Sequence, residues 1–466
     1  MPSRDIPISD KLFQNVKESC LTQGSAALEN AYQNEVGGIS RFPGLSAFST
    51  LAGSEPTYLH EWSGDLIAVT GSRTWRIGKT GVATEATGVP VSGDGRVIFD
   101  RSPNELLMAA GGPIVRLVAN KTDLLSANAP LATHVGYIGG FVMANEISTG
   151  LFYHCAANDF TSWDAIDVFA ADSRPDFLSA VLVTPYGEIM LGGIDSIEQW
   201  EKLPATGDPQ FQRRWAIGEG VYSPYAFTFA DNSIWSINKN REFVRASGQV
   251  SRPNSDDIGS QILEPADNLD GAWASPLLIA GQKFILLQLP NATNSYGTTG
   301  ITMLFDYRQN KWFSLYGWDE SLSLPTCWPG YSIYSLWGRV FVGGKGKVYE
   351  LKTTTYQNDS LVQRVRWRSG NLDFGPVRID NLKLRIKRGL ADSNTARSNI
   401  SVRVALDGKR WTKWRRAELG RYGETAMWID FGQMGCGDNF QVEVDMTDAA
   451  EFELIKMRAD LTALGG

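Results

Sequence analysis

The chain has 466 residues, of which 43% are hydrophobic and 20% charged, and its formal net charge is −7. That balance excludes a disordered chain, and the length exceeds what one ordinary core fills, so several domains or one large repetitive one are expected. Its 47 glycines and 11% aromatic residues favour many short strands and tight turns over long helices.

The opening MPSRDIPISDKLFQ lacks an apolar core segment and does not read as a secretory signal. Residues 1–50 read as an extended arm, with a short helix over KLFQNVKESC (11–20) and turns at Gly37-Gly38 and Pro43-Gly44. From 51 to 355 the text is almost all strand and turn. DLIAVTGSRTWRIG (65–78) reads as two strands around Gly71-Ser72, and GRVIFDRSPNELLMAAGGPIVRLV (95–118) as three. Similar units recur at 135–156, 187–202, 225–246, 283–318 and 339–352, with Trp75, Trp200, Trp235, Trp312 and Tyr349 near strand ends. This irregular repetition predicts an all-β fold, an irregular β-propeller of about five to seven blades.

Within it, MLFDYRQNKWFSLYGW (303–318) is dense in aromatics, and is either a sugar-binding surface or a hairpin of the scaffold. The hairpin reading, with strands on either side of Arg308-Gln309-Asn310, explains the density by covering both faces. The most apolar stretch, SPLLIAGQKFILLQLP (275–290), is broken by Gly281, Gln282 and Lys283, so it cannot span a bilayer and reads as two strands.

Residues 356–466 change character. RVRWRSG (364–370) and LKLRIKRG (382–389) alternate strictly, which predicts a smaller antiparallel β-sandwich. Val365, Trp367, Leu382, Leu384 and Ile386 form the buried side. Arg364, Arg366, Arg368, Lys383, Arg385 and Lys387 form a wet basic side, a candidate interaction face for DNA phosphates or for an acidic neighbouring subunit. Residues 361–421 carry 16 Lys and Arg against 5 Asp and Glu, a net of +11, so the rest of the chain carries −18. ISVRVALDGKRWTKW (400–414) turns at Asp407-Gly408, a preferred hairpin pair.

No motif for catalysis, a metal or a cofactor emerges. GSRTWRIGKT (71–80) ends like a phosphate-binding loop, but its glycines are too far apart and no helix follows. His60, His134 and His154 sit in no metal-binding spacing, and His154 and Cys155 face opposite sides of one strand. There is no G-x-S-x-G, and no spacing selects a glycosidase pair from the many carboxylates. ALDGKRW (405–411) is similar to an Asp-box turn, one residue too short. Cys20, Cys155, Cys327 and Cys436 are far apart and expected to be free thiols of a protein made in a cytoplasm.

Several phrases together, in order, carry a resemblance. They are ENAYQNEVGGISRFPGL (29–45), NDFTSWDAIDVFAADSRPDFLSAVLVTPYGEIMLGGIDSIEQWEK (158–202), GEGVYSPYAFTFADNSIWSINKNREFVRASGQ (218–249), TMLFDYRQNKWFSLYGW, VGGKGKVYEL and ISVRVALDGKRWTKW. From about residue 28 to 460 the chain resembles the packaged-DNA stabilisation proteins, also called tail hub or nozzle proteins, of short-tailed phages. The resemblance implies a non-enzymatic virion component, assembled in the host cytoplasm, with no catalytic residues, metal or cofactor. It implies six copies in a ring below the portal and adaptor, with double-stranded DNA passing through. Tail spikes or fibres, and a needle or plug at the tip, are the implied partners. The alternative is a propeller that binds or hydrolyses carbohydrate.

Overall fold

A computed structural model describes residues 3–6, 27–204, 210–254, 262–387, 398–408, 410–419 and 427–464. No α-helix occurs among them; a 3₁₀ turn at Pro224–Ala226 is a rare exception to strand and loop. The segment 11–20 lies outside the described residues.

Six separate sheets, antiparallel but for one short parallel pairing each in blades 2 and 6, form blades: blade 1 (57–85), blade 2 (87–124), blade 3 (135–170), blade 4 (178–217), blade 5 (228–253) and blade 6 (332–352). Each begins as a meander, because short apolar strands alternate with turns that carry Gly, Asn or Asp at positive φ. Blade 6 takes its fourth strand from the arm: Gly44–Thr50 pairs antiparallel with Lys347–Lys352. Only glycine fits at 44, since a Cβ there would clash with the backbone of Thr355 and Gln357.

Another four-stranded meander runs Trp273–Ile279, Gln282–Thr293, Thr299–Asp306 and Lys311–Asp319. Its first strand packs between the first strands of blades 5 and 6, so it fills the ring position between them. We term it the bridging sheet. The 303–318 stretch supplies its last hairpin, turning at 307–310. Trp312 and Phe313 alternate faces and both are buried, as are Phe305 and Tyr316. Phe305 meets Trp235 of blade 5 at 5.6 Å, and Trp312 meets Phe243 at 5.5 Å. These rings are committed to packing between sheets, which explains the aromatic density without a ligand.

The last strand of the bridging sheet continues into a second body. Ala27–Glu29 of the arm runs parallel to it at Ser314 and antiparallel to Val365–Arg368. Val365–Arg368 pairs with Gly435–Met446, which pairs with Asn399–Leu406. Leu372–Lys387, Met427–Asp430 and Glu453–Ala463 pair alongside, joined by Ser3–Ile6. The alternation is realised on the inner side: Val365, Trp367, Leu382, Leu384 and Ile386 are all buried. One apolar core runs unbroken from Trp235 of blade 5, through the bridging sheet, to Leu384 and Val444.

Candidate functional site: a filled axis, an ionic joint and a basic edge

Where the first strands converge, the axis of the ring is filled. Arg96, entering blade 2, places its guanidinium carbon 4.4 Å from the Trp273 ring of the bridging sheet and 4.9 Å from the Tyr58 ring of blade 1. His134, entering blade 3, stacks on Tyr225, which precedes blade 5, at 5.7 Å. Residues from opposite sides of the ring therefore touch across its centre. Arg96 has no ion pair among the described residues, and the faces of two aromatic rings receive its charge instead. Burial pushes its pKa down to about 10, which leaves it charged at neutral pH. Burial also pushes His134 down to about 4, so its ring is neutral.

A second cluster lies where arm, bridging sheet and sandwich meet. Glu443 is 0% exposed and receives Arg366, Arg368 (3.3 Å) and Arg403 (2.7 Å). Arg366 also reaches Glu29 of the arm at 3.3 Å and donates to the Tyr296 hydroxyl at 2.8 Å. Tyr296, on the bridging sheet's connecting loop, donates to Glu29 at 2.6 Å. Burial alone would raise the Glu443 pKa, yet Arg366 and Arg368 hold it below its ordinary value. Asn30, beside Glu29, donates to the Arg364 carbonyl and accepts from the Tyr316 amide, each at 2.8 Å. Three parts of the chain are fixed by one charged knot and one amide.

This overturns the wet basic face expected for Arg364, Arg366 and Arg368. They are largely buried and paired within the chain, Arg364 with Asp445. Lys383 reaches Asp460 at 3.0 Å, and Lys387 reaches Glu453 at 3.3 Å and Glu451 at 3.5 Å. Of the six, only Arg385 is exposed with no ion pair among the described residues. Those acids lie 64 to 81 residues later in the sequence, so strand alternation alone could not reveal them.

The unneutralised basic surface lies on the next edge. Arg410, Lys413, Trp414, Arg415 and Arg416 are exposed, and Arg415–Glu418 forms a strand that, among the described residues, pairs only with Asn399–Leu406. Arg410, Lys413 and Arg416 form no ion pair among the described residues, while Arg415 donates to the Phe431 carbonyl at 2.8 Å. The sequence carried a signal for it: no acid occurs between Asp407 and Glu418.

Gly78, Lys79 and Thr80 lie in a turn after Arg73–Ile77, not before a helix. Cys155, Cys327 and Cys436 are free thiols; Cys20 lies outside the described residues. His60 stacks on Phe99 and lies tilted against Tyr334. Among the described residues no group of His, Cys, Asp and Glu is placed to hold a metal ion, and no helix is long and apolar enough to cross a membrane. A groove of about 590 Å³ between the bridging sheet and blade 6 has no aromatic lining residue, and its Glu350 is neutralised by Arg339.

The model of a phage family described as Bacteriophage P22 Gp10, β-propeller, matches residues 26–356. The chain belongs to this family. The Gp10 family is one of phage structural proteins, which makes this chain a virion component with a propeller body. No curated protein matches it. Solved structures similar to this Gp10-family chain include the extracellular domain of BT4673 from B. thetaiotaomicron, at 10% identity and TM-score 0.44, covering 77% of this chain. The chain spans 46% of that protein, less than half its length. BamB from Moraxella catarrhalis is similar at 12% identity and TM-score 0.37, over 66% of this chain and 99% of that one. Virginiamycin B lyase from Staphylococcus aureus is similar at 12% and 0.41, over 65% and 96%.

Proposed function

We propose that this Gp10-family chain is a tail hub, or nozzle, protein. Six copies form a ring below the portal and adaptor, retain packaged DNA and conduct it during ejection. The ring docks tail spikes or fibres, and a needle or plug closes its tip. The protein is made and assembled in the host cytoplasm and acts without catalysis or a cofactor.

The family match over residues 26–356 carries this reading. The filled axis adds a constraint: with Arg96, Trp273, His134 and Tyr225 meeting across the centre, a DNA duct must lie between copies and not along one propeller.

Immunogold labelling of whole virions with an antibody to this chain tests the proposal. Gold confined to the tail at one capsid vertex is expected, and particles lacking the protein should leak DNA. Absence of label from both intact and disrupted particles would overturn it.

A further inference from the structure

Two exposed edges of the molecule have opposite charge and the same design. One is the basic sandwich edge, where Arg410, Lys413 and Arg416 surround Trp414, which is 41% exposed. Arg403 holds this Trp from behind, 4.4 Å from its ring, so the indole is pre-positioned and not loose.

The other is the outermost strand of blade 3, Asp159–Ala170. The chain contains no Lys or Arg from Thr122 to Ser173, so blade 3 has no cation of its own. Its pairing with Leu151–Ala156 breaks between Tyr153, opposite Val168, and Cys155, opposite Trp163. Two steps on one strand thus face five on the other, and residues 164–167 bulge outward. The bulge presents Asp164 and Asp167 on either side of Ile166, which is 81% exposed, and neither carboxylate has an ion pair among the described residues.

Charge and bulging can also guard an edge strand against stray pairing. A guard has no need of an apolar side chain at its centre, however, and both edges have one. A charged rim around a central apolar anchor is the plan of a protein interface. The two edges also stand apart. Blade 3 lies three ring positions from the bridging sheet, whose outer strand carries the sandwich.

We propose that copies of this chain dock head to tail, the Arg410–Lys413–Trp414–Arg416 edge of one sandwich seating on the Asp164–Ile166–Asp167 bulge of the next copy's blade 3. Two different patches make a heterologous contact, which closes into a ring when the rotation allows. This rests on the reading that the chain assembles as a ring, and names the surfaces that would build it.

Charge reversal tests the contact on the full-length protein. One variant carries Arg410→Glu, Lys413→Glu and Arg416→Glu; the other carries Asp164→Lys and Asp167→Lys. Arg410, Lys413, Arg416 and Asp164 are exposed and Asp167 is half-buried, and circular dichroism checks that both variants fold. Sedimentation velocity is run over a wide concentration range at low salt and at about 0.5 M salt, where screening removes exposed charge pairs. Wild type is expected to associate at low salt and to lose association at high salt. Each variant alone should associate at least tenfold more weakly. Their equimolar mixture should recover, because each reversed patch finds a complementary one on the other variant.

A wild type that stays monomeric at low salt overturns the proposal, as does association indifferent to the reversals, or a mixture that fails to recover. If the triple variant associates normally but no longer retains duplex DNA, the edge is a phosphate contact and the proposal falls. Tail labelling is a separate outcome: a chain found on the tail whose reversals leave association unchanged overturns this interface alone.

Discussion

Arg403 donates to a single oxygen of Glu443 from both Nε (2.9 Å) and Nη2 (2.7 Å), while its guanidinium lies 4.5 Å from the Trp411 ring and 4.4 Å from Trp414. The buried knot and the exposed basic edge therefore share one residue. Support for the surface comes from inside.

Glu443 is the sole acid receiving all of Arg366, Arg368 and Arg403 among the described residues. Glu443→Gln would leave three clustered cations with less than they need, at a cost of about 3–5 kcal/mol. Denaturant unfolding of the full chain measures this; a loss below about 1 kcal/mol would show that water already screens the cluster. The carboxylate is held below its ordinary pKa, so its contribution is present above the unfolded value of 4.5 and fades as pH falls through the lower folded value.

The filled axis predicts opposite outcomes for two neighbours. Trp273 is 1% exposed and donates from Nε1 to Gln288 at 2.7 Å, so Trp273→Ala should cost about 3–5 kcal/mol. Arg96 is a desolvated cation without a carboxylate, so Arg96→Met, of similar volume, should be neutral or stabilising. Urea midpoints of the two variants compare them directly. Equal losses would mean that the cation–π contacts hold the axis.

Burial pushes His60 and His134 down to about 4 from the ordinary 6.5. Between those values the unfolded chain binds protons that the folded chain does not, so stability falls as pH falls, by up to about 3 kcal/mol for each ring. Asp100, pushed up to about 6 by burial, has the opposite sign below pH 6, and one group offsets only part of two. Thermal unfolding should show a lower midpoint at pH 5 than at pH 7. A His60→Asn, His134→Asn double variant should show a flatter profile, whatever its absolute stability. A flat wild-type profile would mean that the rings are already charged in the fold.

Arg41 is 6% exposed and donates to the carbonyls of Asp448 (2.7 Å), Ala450 (2.9 Å) and Gln363, and to the Gln363 side chain. Arg41→Ala would leave these acceptors unsatisfied in the interior and should cost about 3 kcal/mol or more. Hydrogen exchange should then show the Glu453–Ala463 amides exposed earlier than those of blades 2 to 4. Unchanged exchange there would mean that the arm is held by its strand pairing alone.

Much of this architecture was legible in the residues. Strand alternation in RVRWR and LKLRIK correctly gave the buried sides, because Trp367 and Leu384 answer only to strand period. The hairpin at 303–318 could likewise be read from its turn residues. What alternation cannot supply is the identity of the facing strand. Arg366 looked wet because Glu443 and Glu29 lie 77 and 337 residues away in sequence. For the same reason, the bridging sheet's role as a joint was hidden: a short arm strand pairs with its edge and with Val365–Arg368 together. The free cations at 410–416 are the reverse case, a local excess that no distant strand cancels.

The arm also sets a schedule. Gly44–Thr50 leaves the ribosome early, but its partner Lys347–Lys352 emerges some 300 residues later, and Ile39–Arg41 waits for Leu454. At synthesis rates of about 5–20 residues per second, Gly44–Thr50 waits roughly 15–60 s for Lys347–Lys352, while Ile39–Arg41 can already pair with Ala31–Gln33. Blades 1 to 5 each draw their strands from one contiguous stretch and can form during synthesis, whereas blade 6 waits for Lys347–Lys352 and the second body waits for Glu453–Ala463. Closure of the blade ring therefore reports that synthesis has passed Lys352, and a product cut short before that strand would leave Gly44–Thr50 without its partner.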